Sequence, residues 1–406
     1  MLKNEQADHK VLGRELDLFV FSDLVGSGLP LFTPKGTIIR DELERFVLAL
    51  QEPHGYERVW IPHITKKELY EVSGHWEKFK DELFRIKSRE GDEFALKPMN
   101  CPHHTQIYAS RPRSYRELPL RFAEVTTVYR DEQSGELQGL ARVRAITQDD
   151  AHVFCRVSQV EEEVLKIWQI VDEFYKPFGM PLTVCFSRHD PKRMKDYLGT
   201  PEIWKQAEGQ LKAILDKKKA KYLDAPGEAA MYGPKIDFIA TDNLGREWQL
   251  ATIQLDFNMP ERFDLTCVNE EGKEERIVMI HRAVLGSIER FMAILIEHYA
   301  GAFPLWLAPV QVAVLPISEK QKAYADSVVS ELRTAGIRVE TYDSNETIGK
   351  RIRTAETQKI PYILVVGDKE KEVESVAVRK RGKGDVGVEK LKTFLSTLAK
   401  EIELKQ

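Results

Sequence analysis

RFAEVTTVYRDEQSGELQGLARVRAITQDDAHVFC (residues 121–155) contains two strand-like segments, 121–130 and 141–155, on either side of a loop with two glycines. A chain that returns after a turn-rich loop favours antiparallel pairing. Further strand-like segments with turn-rich connections lie at 182–187, 235–242, 247–257 and 276–281. Because few crossover helices separate them, the pattern predicts an α+β fold, a largely antiparallel sheet with helices packed on it. One of these helices is predicted over 158–176, where apolar residues recur at helical spacing.

The pattern changes after GAFPLWLAP (301–309), which contains a glycine and two prolines. Beyond it, strand-like and helical segments alternate, with helices predicted near 318–334, 347–358 and 388–403. Such alternation is typical of a small α/β domain with a mixed sheet in which parallel pairs predominate. The sequence therefore predicts two domains, residues 1–302 and 303–406.

Composition narrows the class of protein. The net charge of -4 gives no sign of nucleic acid, so any RNA-binding surface must be local. The four cysteines form no CxxC pair, which argues against a disulfide framework. The charged start MLKNEQADHK has no apolar segment, and no run of about 18 apolar residues occurs in the chain. We expect a cytoplasmic protein without a membrane segment.

Several arginines occupy positions that suit an anion. Arg130 and Glu132 end the first strand-like segment, and Arg142 begins the return segment. Arg290 lies at the start of an apolar helix. Guanidinium groups pair well with phosphate, and a nearby carboxylate can accept from an amino group. An exposed arginine-rich hairpin, and a salt bridge between Arg290 and the glutamate before it, are the alternatives.

Three segments together resemble the three motifs of the class II aminoacyl-tRNA synthetases: GLPLFTPKGTIIRDELERF (28–46) followed by VWIPHI (59–64), the hairpin quoted above, and GSIERF (286–291). The resemblance implies an antiparallel catalytic sheet, a homodimer built around the first motif, and ATP with Mg²⁺ as substrate. A non-catalytic tRNA-binding paralogue is the alternative from another class.

The same resemblance implies roles for the arginines. Arg130 would contact the α-phosphate of ATP and the substrate, and Glu132 the adenine amino group. Arg142 and Arg290 would contact the outer phosphates. Adenylyl transfer depends mostly on positioning and charge stabilisation, which such arginines supply.

Five further segments resemble threonyl-tRNA synthetases: KPMNCP (97–102), TQDDAHVFC (147–155), YGPKIDF (232–238), WQLATIQLDF (248–257) and HRAVLGSIERF (281–291). This resemblance implies that Cys101, His152 and His281 bind one Zn²⁺, which takes the amino group and hydroxyl of L-threonine and so rejects valine. Spacing alone does not predict this site, since the gaps are 51 and 129 residues. A seryl- or prolyl-specific synthetase and a zinc hydrolase are the alternatives, although no HExxH spacing accompanies the ligands.

Further roles follow from the resemblance residue by residue. Asp150 would accept the threonine hydroxyl, and Gln148 would hold the reacting carboxylate. Lys235 would stabilise charge near the α-phosphate. Tyr232 and Gln249 would line the amino-acid pocket, and His75 would act in the transfer step. For each of these residues an ordinary polar contact is the alternative.

The C-terminal domain resembles an anticodon-binding domain. Asn345, Glu370, Arg379 and Arg381 would face anticodon bases of tRNA(Thr), because arginine and amide groups suit unstacked bases. Lys380 and Lys383 are candidates for phosphate contact. His103 and His104 follow Cys101 closely, and we expect them on the solvent side or facing tRNA rather than on the metal.

The overall expectation is a threonine–tRNA ligase. It would activate threonine with ATP and transfer it to tRNA(Thr). Many members of the family begin with an editing region that hydrolyses seryl-tRNA, and nothing in these 406 residues resembles one. We therefore expect the catalytic and anticodon-binding domains without that region, and formation of seryl-tRNA that is not cleared.

Overall fold

The computed structural model describes residues 8–405 of the chain. Residues 1–7, which carry most of the charged start used above, lie outside the described residues, as does residue 406. Two compact units divide the chain. One comprises Asp23–Leu29 and Glu44–Phe291, and the other combines Pro30–Leu43 and Met292–Gln406 with the residues up to Ser22. The boundary between residues 302 and 303 separates two predicted folds and stays a prediction.

The strands are named here in chain order. They are β1 (Phe19–Val20), β2 (Leu31–Phe32), β3 (Glu57–Arg58), β4 (Ile64–Lys66), β5 (Arg85–Lys87), β6 (Glu93–Leu96), β7 (Leu120–Tyr129), β8 (Ala145–Cys155), β9 (Leu182–Arg188), β10 (Tyr222–Pro226), β11 (Lys235–Thr241), β12 (Glu247–Asp256), β13 (Thr266–Val268), β14 (Glu274–Arg276), β15 (Val278–Ser287), β16 (Val312–Pro316), β17 (Val339–Thr341), β18 (Tyr362–Val366), β19 (Ser375–Lys380) and β20 (Gly384–Lys390).

The α-helices are α1 (His9–Glu15), α2 (Pro34–Gln51), α3 (Lys67–Ser73), α4 (His75–Lys78), α5 (Cys101–Ala109), α6 (Val160–Tyr175), α7 (Pro201–Lys217), α8 (Asn258–Arg262), α9 (Ile288–His298), α10 (Lys322–Thr334), α11 (Ile348–Thr357), α12 (Asp368–Glu372) and α13 (Leu391–Glu403).

An eight-stranded sheet forms the centre of the larger unit, in the order β10-β9-β11-β12-β15-β8-β7-β3. Its inner pairs are antiparallel, and only the two edge pairs, β10 with β9 and β3 with β7, are parallel. The hairpin predicted from residues 121–155 is present as β7 and β8, which pair from Leu120 with Phe154 to Tyr129 with Ala145. The predicted α+β class with a largely antiparallel sheet is therefore confirmed.

Helix α6 covers one face of this sheet. Its buried residues include Val164, Ile167, Trp168 and Val171, which recur at helical spacing. The indole ring of Trp168 meets the ring of Phe238 in β11 edge to face, at 4.9 Å between centroids. Neighbouring residues of a strand point to opposite faces, so every second residue of these strands lies on the face opposite α6.

The smaller sheet lies in the C-terminal part of the chain, in the order β17-β16-β18-β19-β20. β16 pairs in parallel with β17 and β18, whereas β18, β19 and β20 pair antiparallel. Apolar residues of α10 and α13 pack with strand residues such as Val314 and Leu364. Ala355 of α11 packs with Ala313 and Ile363, the residues next to them in the same strands. The prediction of a small α/β domain with a mixed sheet is confirmed. The expectation that parallel pairs predominate is wrong, because β19 and β20 add two antiparallel pairs to the two parallel ones.

Two further observations bear on the class of protein. Within residues 8–405, no helix combines the length and the apolar character needed to cross a bilayer. All four cysteines are buried and free, as the lack of a CxxC pair predicted.

Candidate active site

Polar side chains form a row across the face of the large sheet opposite α6. The register places Gln254 of β12 opposite His281 of β15, and His281 opposite His152 of β8. Since alternate residues of a strand share a face, Gln148 and Asp150 lie on the same face as His152. The strand residues of TQDDAHVFC thus present every second side chain to this face.

Cys101 joins the two histidines from outside the sheet. It is the first residue of α5 and is 2% exposed. The thiol of Cys101 and one ring nitrogen each of His152 and His281 lie within 4.8 Å of one another. One thiolate and two imidazoles are a donor set that zinc prefers, and three protein ligands leave a position open for substrate.

The hydrogen bonds of the two imidazoles fit a metal between them. The Nε2 atom of His281 lies 2.9 Å from the Asp256 carboxylate, which leaves Nδ1 for a metal. The Nδ1 atom of His152 lies 2.8 Å from Nδ1 of His104, which leaves Nε2. Burial raises the pKa of the Cys101 thiol well above its ordinary value, so the thiolate form depends on the charge of a bound cation. These residues fit zinc.

The prediction that His103 and His104 face solvent or tRNA is wrong. His103 is 7% exposed and His104 is fully buried. The reason is the start of α5 at Cys101: residues three apart lie on the same face of a helix, so His104 is directed towards β8 as Cys101 is. A strand-by-strand reading of the sequence gives no sign of this helix.

A cavity, here called the metal-side cavity, adjoins the three candidate ligands. Asp150 and Tyr232 line it together with Gln254. The Asp150 carboxylate accepts a hydrogen bond from the amide of Asn100 at 3.0 Å. The Tyr232 hydroxyl donates to the Gln254 side chain at 2.5 Å, and its ring stacks on His281 with 4.7 Å between centroids. The cavity therefore combines metal donors with a fixed acceptor.

A second cavity, here called the arginine cavity, shares Gln148, Thr252 and Ala283 with the first. Its lining also includes the predicted phosphate and adenine contacts, namely Arg130, Glu132, Arg142 and Arg290. Burial, together with the charges of Arg130 and Arg142, lowers the pKa of Arg290. Guanidinium groups that converge in one cavity favour an anionic ligand, which would offset their mutual repulsion.

Two arginines of this cavity are held by the protein itself. Arg142 pairs with Glu132 at 2.6 Å, and Arg290 donates from Nε to the Ala141 carbonyl at 3.0 Å. Sequence reasoning assigned Glu132 and Arg142 to different parts of ATP, and the structure places them in contact with each other. Both still line the cavity.

The turn that leads to Arg290 depends on a buried carboxylate. The register of β15 shifts between Ala283 and Ser287, a bulge at which Gly286 adopts a positive φ of 77°. Asp149 accepts hydrogen bonds from the backbone N–H groups of Val284 at 2.8 Å and of Leu285 at 3.1 Å. Burial raises the pKa of Asp149 to about 7. The sequence motifs gave Asp149 no role, although an aspartate at a core-facing position of a strand indicates a carboxylate with a buried partner.

Gln249 and Lys235 lie apart from the candidate ligands. Gln249 lines the arginine cavity, and the glutamine that borders the metal-side cavity is Gln254. Lys235 is opposite Gln254 in the neighbouring strand and pairs through Nζ with Asp237 at 3.0 Å. It is not among the residues that line either cavity.

His75 is buried beside Cys101. Its Nε2 atom lies 3.9 Å from the Cys101 sulfur, and its Nδ1 atom lies 2.8 Å from the hydroxyl oxygen of Ser73. Burial lowers the pKa of His75 to about 3, so the ring is neutral. The structure therefore brings His75 next to the candidate ligands.

The four residues expected at an anticodon divide into two pairs on the small sheet. Asn345 and Glu370 follow the carboxyl ends of β17 and β18, and Arg379 lies opposite Ile363 near the start of β18. Arg379 and Arg381 line a cavity together. The four residues do not form one cluster.

The basic residues of this cavity differ in how firmly they are held. Arg381 donates to the carbonyls of Lys359 and Phe303, and Lys380 pairs with Glu401 at 3.1 Å. Arg379 pairs more loosely, with Glu356 at 3.5 Å. Lys383 is exposed.

Comparison with known proteins identifies the family. Residues 84–299 match the family model "tRNA synthetase class II core domain (G, H, P, S and T)", and residues 311–401 match "Anticodon binding domain". A solved structure, the RNA binding domain of threonyl-tRNA synthetase from Cryptosporidium parvum, is 38% identical, with a TM-score of 0.93. The match covers 97% of this chain and 98% of that one.

The chain belongs to the threonyl-tRNA synthetase family.

Curated relatives in the threonyl-tRNA synthetase family are similar over most of the chain. The threonine–tRNA ligase of Porphyromonas gingivalis is 50% identical over 405 residues, and that of Deinococcus deserti is 51% identical over 378 residues. The matches cover 98% and 93% of this chain, and 62% and 58% of the relatives' own lengths. The resemblance predicted from the motifs is confirmed.

Proposed function

We propose that the chain is a threonine–tRNA ligase, which activates L-threonine with ATP and Mg²⁺ and transfers it to tRNA(Thr). One observation carries the proposal: the cavity at Cys101, His152 and His281 shares a wall with the cavity that holds the arginines. An amino acid held in the first cavity and a nucleotide held in the second would meet at Gln148, which lines both.

Cys101, His152 and His281 would hold one Zn²⁺ per chain. When bound, zinc supplies a Lewis acid that can take the amino group and side-chain hydroxyl of the substrate. The residues around it supply the rest of the recognition. Asp150, to which the Asn100 amide donates at 3.0 Å, accepts a hydrogen bond from the threonine hydroxyl. Tyr232 forms part of the pocket wall, and Gln249, from the arginine cavity, approaches the amino acid where the two substrates meet.

Adenylate formation follows from the contents of the arginine cavity. The threonine carboxylate, held by Gln148, attacks the α-phosphorus of ATP, and the bond to pyrophosphate breaks. Arg130 stabilises the charge that develops on the α-phosphate. Lys235, which lies outside the arginine cavity and pairs with Asp237, would assist there from β11. Arg142 and Arg290 hold the outer phosphates until pyrophosphate leaves, and Glu132 accepts from the adenine amino group. Mg²⁺ accompanies ATP.

The second step transfers threonine to the tRNA. His75, beside Cys101, acts near the terminal ribose in this step. Asn345, Glu370, Arg379 and Arg381 face the anticodon, although the ties of Arg381 to main-chain carbonyls also give it a structural part. We further propose that the chain works as a cytoplasmic homodimer.

The test combines two assays on the chain as it stands. ATP–pyrophosphate exchange is measured with each of the twenty amino acids, and tRNA(Thr) is then charged with those that are active. We expect threonine to give the fastest exchange and to be transferred. Exchange that is equally fast with proline would contradict the specificity, and exchange with no amino acid would favour a non-catalytic tRNA-binding protein.

A further inference from the structure

His104 is a buried polar side chain in contact with the candidate metal ligand His152, and the proposed mechanism gives it no role. It lies in α5, fully buried, three residues after Cys101. Its Nδ1 atom is 2.8 Å from Nδ1 of His152, and the two rings are perpendicular, with 4.7 Å between centroids. At 2.8 Å the two nitrogens share a hydrogen bond, so one of them carries the proton and the other accepts it.

The identity of the donor follows from what a metal requires. A neutral imidazole that binds a cation through Nε2 carries its proton on Nδ1. The Nδ1–H of His152 therefore donates to Nδ1 of His104, which must then carry its own proton on Nε2. Asp256 is the corresponding hydrogen-bond acceptor for His281, since its carboxylate accepts from the Nε2–H group of His281 at 2.9 Å. Each histidine ligand thus has one acceptor behind it, one neutral and one anionic.

We infer that His104 is a positioning residue for His152: it fixes the tautomer and the ring orientation with which His152 meets zinc. The inference rests on the proposed zinc site. Groups that accept a hydrogen bond from a metal-binding histidine typically change metal affinity by about 10–100-fold when they are removed. Because Cys101 and His104 lie on the same helix, α5 both supplies one ligand and aims another.

His103 offers a matched comparison. It is the neighbouring residue in α5 and is also buried, yet its ring nitrogens have no hydrogen-bond partner among residues 8–405. Its ring lies 6.2 Å from that of Tyr70, centroid to centroid. A loss of imidazole at residue 103 therefore tests packing in α5 without touching a ligand.

The experiment compares Zn²⁺ binding by the wild type with H104L, H104N, H104Q and H103L, measured by competition with a chromophoric chelator. Leucine removes the acceptor. Asparagine places its amide oxygen near the former Nδ1, whereas glutamine places it near the former Nε2. We expect the zinc dissociation constant to rise about 10–100-fold in H104L and H104Q and to change only a few-fold in H104N and H103L.

Two readouts separate positioning from a general loss of structure. The visible spectrum of the Co²⁺-substituted chain reports ligand geometry and should change in H104L and H104Q only. Thermal unfolding of each metal-free variant reports folding. If H104L does not fold, the comparison of H104N with H104Q decides.

Equal zinc affinity in H104N and H104Q, or wild-type affinity in a folded H104L, would overturn the role of His104 while leaving the zinc site intact. A wild-type chain that binds no zinc would overturn the zinc site itself. The two failures are therefore distinguishable in one titration.

Discussion

At the scale of single residues, the metal-side cavity offers a substrate two kinds of partner. The Cys101 thiol and the two imidazoles are metal donors, whereas the Asp150 carboxylate accepts hydrogen bonds and is fixed by Asn100. A hydroxyl amino acid can satisfy both kinds, whereas valine has no hydroxyl to donate to Asp150. The shape of a pocket alone would not reject valine strongly, because one methyl-sized difference in an apolar pocket is worth only about 1–3 kcal/mol.

Cys101→Ser replaces a thiolate by a hydroxyl, which binds zinc poorly at neutral pH. We expect zinc content to fall and threonine-dependent pyrophosphate exchange to be lost. ATP binding should change little, because Cys101 does not line the arginine cavity. Elemental analysis and calorimetric ATP titration provide the measurements. Cys185→Ser, a buried cysteine outside both cavities, is the control. Full zinc occupancy in the Cys101 variant would rule out Cys101 as a ligand.

Arg130→Ala and Arg290→Ala each remove a guanidinium from the arginine cavity. We expect either change to lower the rate of adenylate formation by about 100-fold or more, the usual scale for a preorganised charge contact. Exchange kinetics at saturating threonine give the measurement, and Arg89→Ala, an exposed arginine outside the cavity, is the control. Near-wild-type exchange in both variants would show that the motif residues are misassigned.

At the scale of secondary-structure elements, the side chains of β8 alternate between the core of the sheet and the metal-side cavity. Asp149 points into the core, where it meets the buried Arg282 guanidinium at 3.1 Å and the bulge of β15. Asp150, the next residue, points to the cavity. One strand therefore carries two adjacent carboxylates with different tasks.

This alternation predicts that two isosteric substitutions affect different properties, one the stability of the fold and the other the activation of threonine. Asp149→Asn leaves the buried Arg282 without its counter-ion and should lower the free energy of unfolding by about 3–5 kcal/mol. Asp150→Asn, at a partly exposed position, should leave stability within about 0.5 kcal/mol but reduce threonine activation. Urea unfolding followed by circular dichroism, with exchange assays on the folded variants, measures both. Equal destabilisation by the two changes would contradict the assignment of faces.

The elements differ in how far the sequence could predict them. The β7–β8 hairpin and α6 follow from local periodicity, and β7 and α6 are present close to their predicted bounds. The prediction of β8 from residue 141 is wrong at its start, because the strand begins at Ala145 and Arg142 belongs to the preceding loop. α7 (Pro201–Lys217) is absent from the predicted elements, although its buried residues Trp204, Ala207, Leu211 and Ile214 recur at helical spacing. The helical spacing of these apolar residues is a local feature of the sequence, from which α7 could have been predicted.

The site follows a different rule. Cys101, His152 and His281 meet because the register of two strands, β8 and β15, and the start of α5 bring them together, and no periodicity encodes that meeting. Resemblance of short segments to a family predicted these residues. The partners behind them, His104 and Asp256, received no role from the resemblance, and their hydrogen bonds in the structure reveal one.

At the scale of the whole molecule, recognition of tRNA and activation of threonine are assigned to separate units. Arg379 lines a cavity on the small sheet and lies in neither cavity of the large sheet. Arg379→Ala should therefore weaken charging of tRNA(Thr), by about 1–3 kcal/mol for a lost base contact, and leave adenylate formation unchanged. Charging and exchange rates on one preparation measure this.

Arg381 and Lys400 provide the comparison for Arg379. Arg381→Ala removes hydrogen bonds to two main-chain carbonyls and should also lower the thermal stability of the C-terminal sheet. Lys400→Ala, an exposed change in α13, should affect neither assay. Loss of exchange together with charging in Arg379→Ala would mean that this residue supports the fold rather than contacts tRNA.

The central claim is that zinc at Cys101, His152 and His281 selects threonine. The most direct measurement is amino-acid-dependent ATP–pyrophosphate exchange by the chain before and after zinc removal, with threonine, serine and valine. We expect threonine-dependent exchange to disappear with the metal and to return when one equivalent of zinc is restored. Serine should be slower than threonine by about 10–200-fold, the range for one methyl group, and valine should stay at background. Full threonine-dependent exchange in the metal-free chain, or valine near the rate of threonine, would contradict the claim.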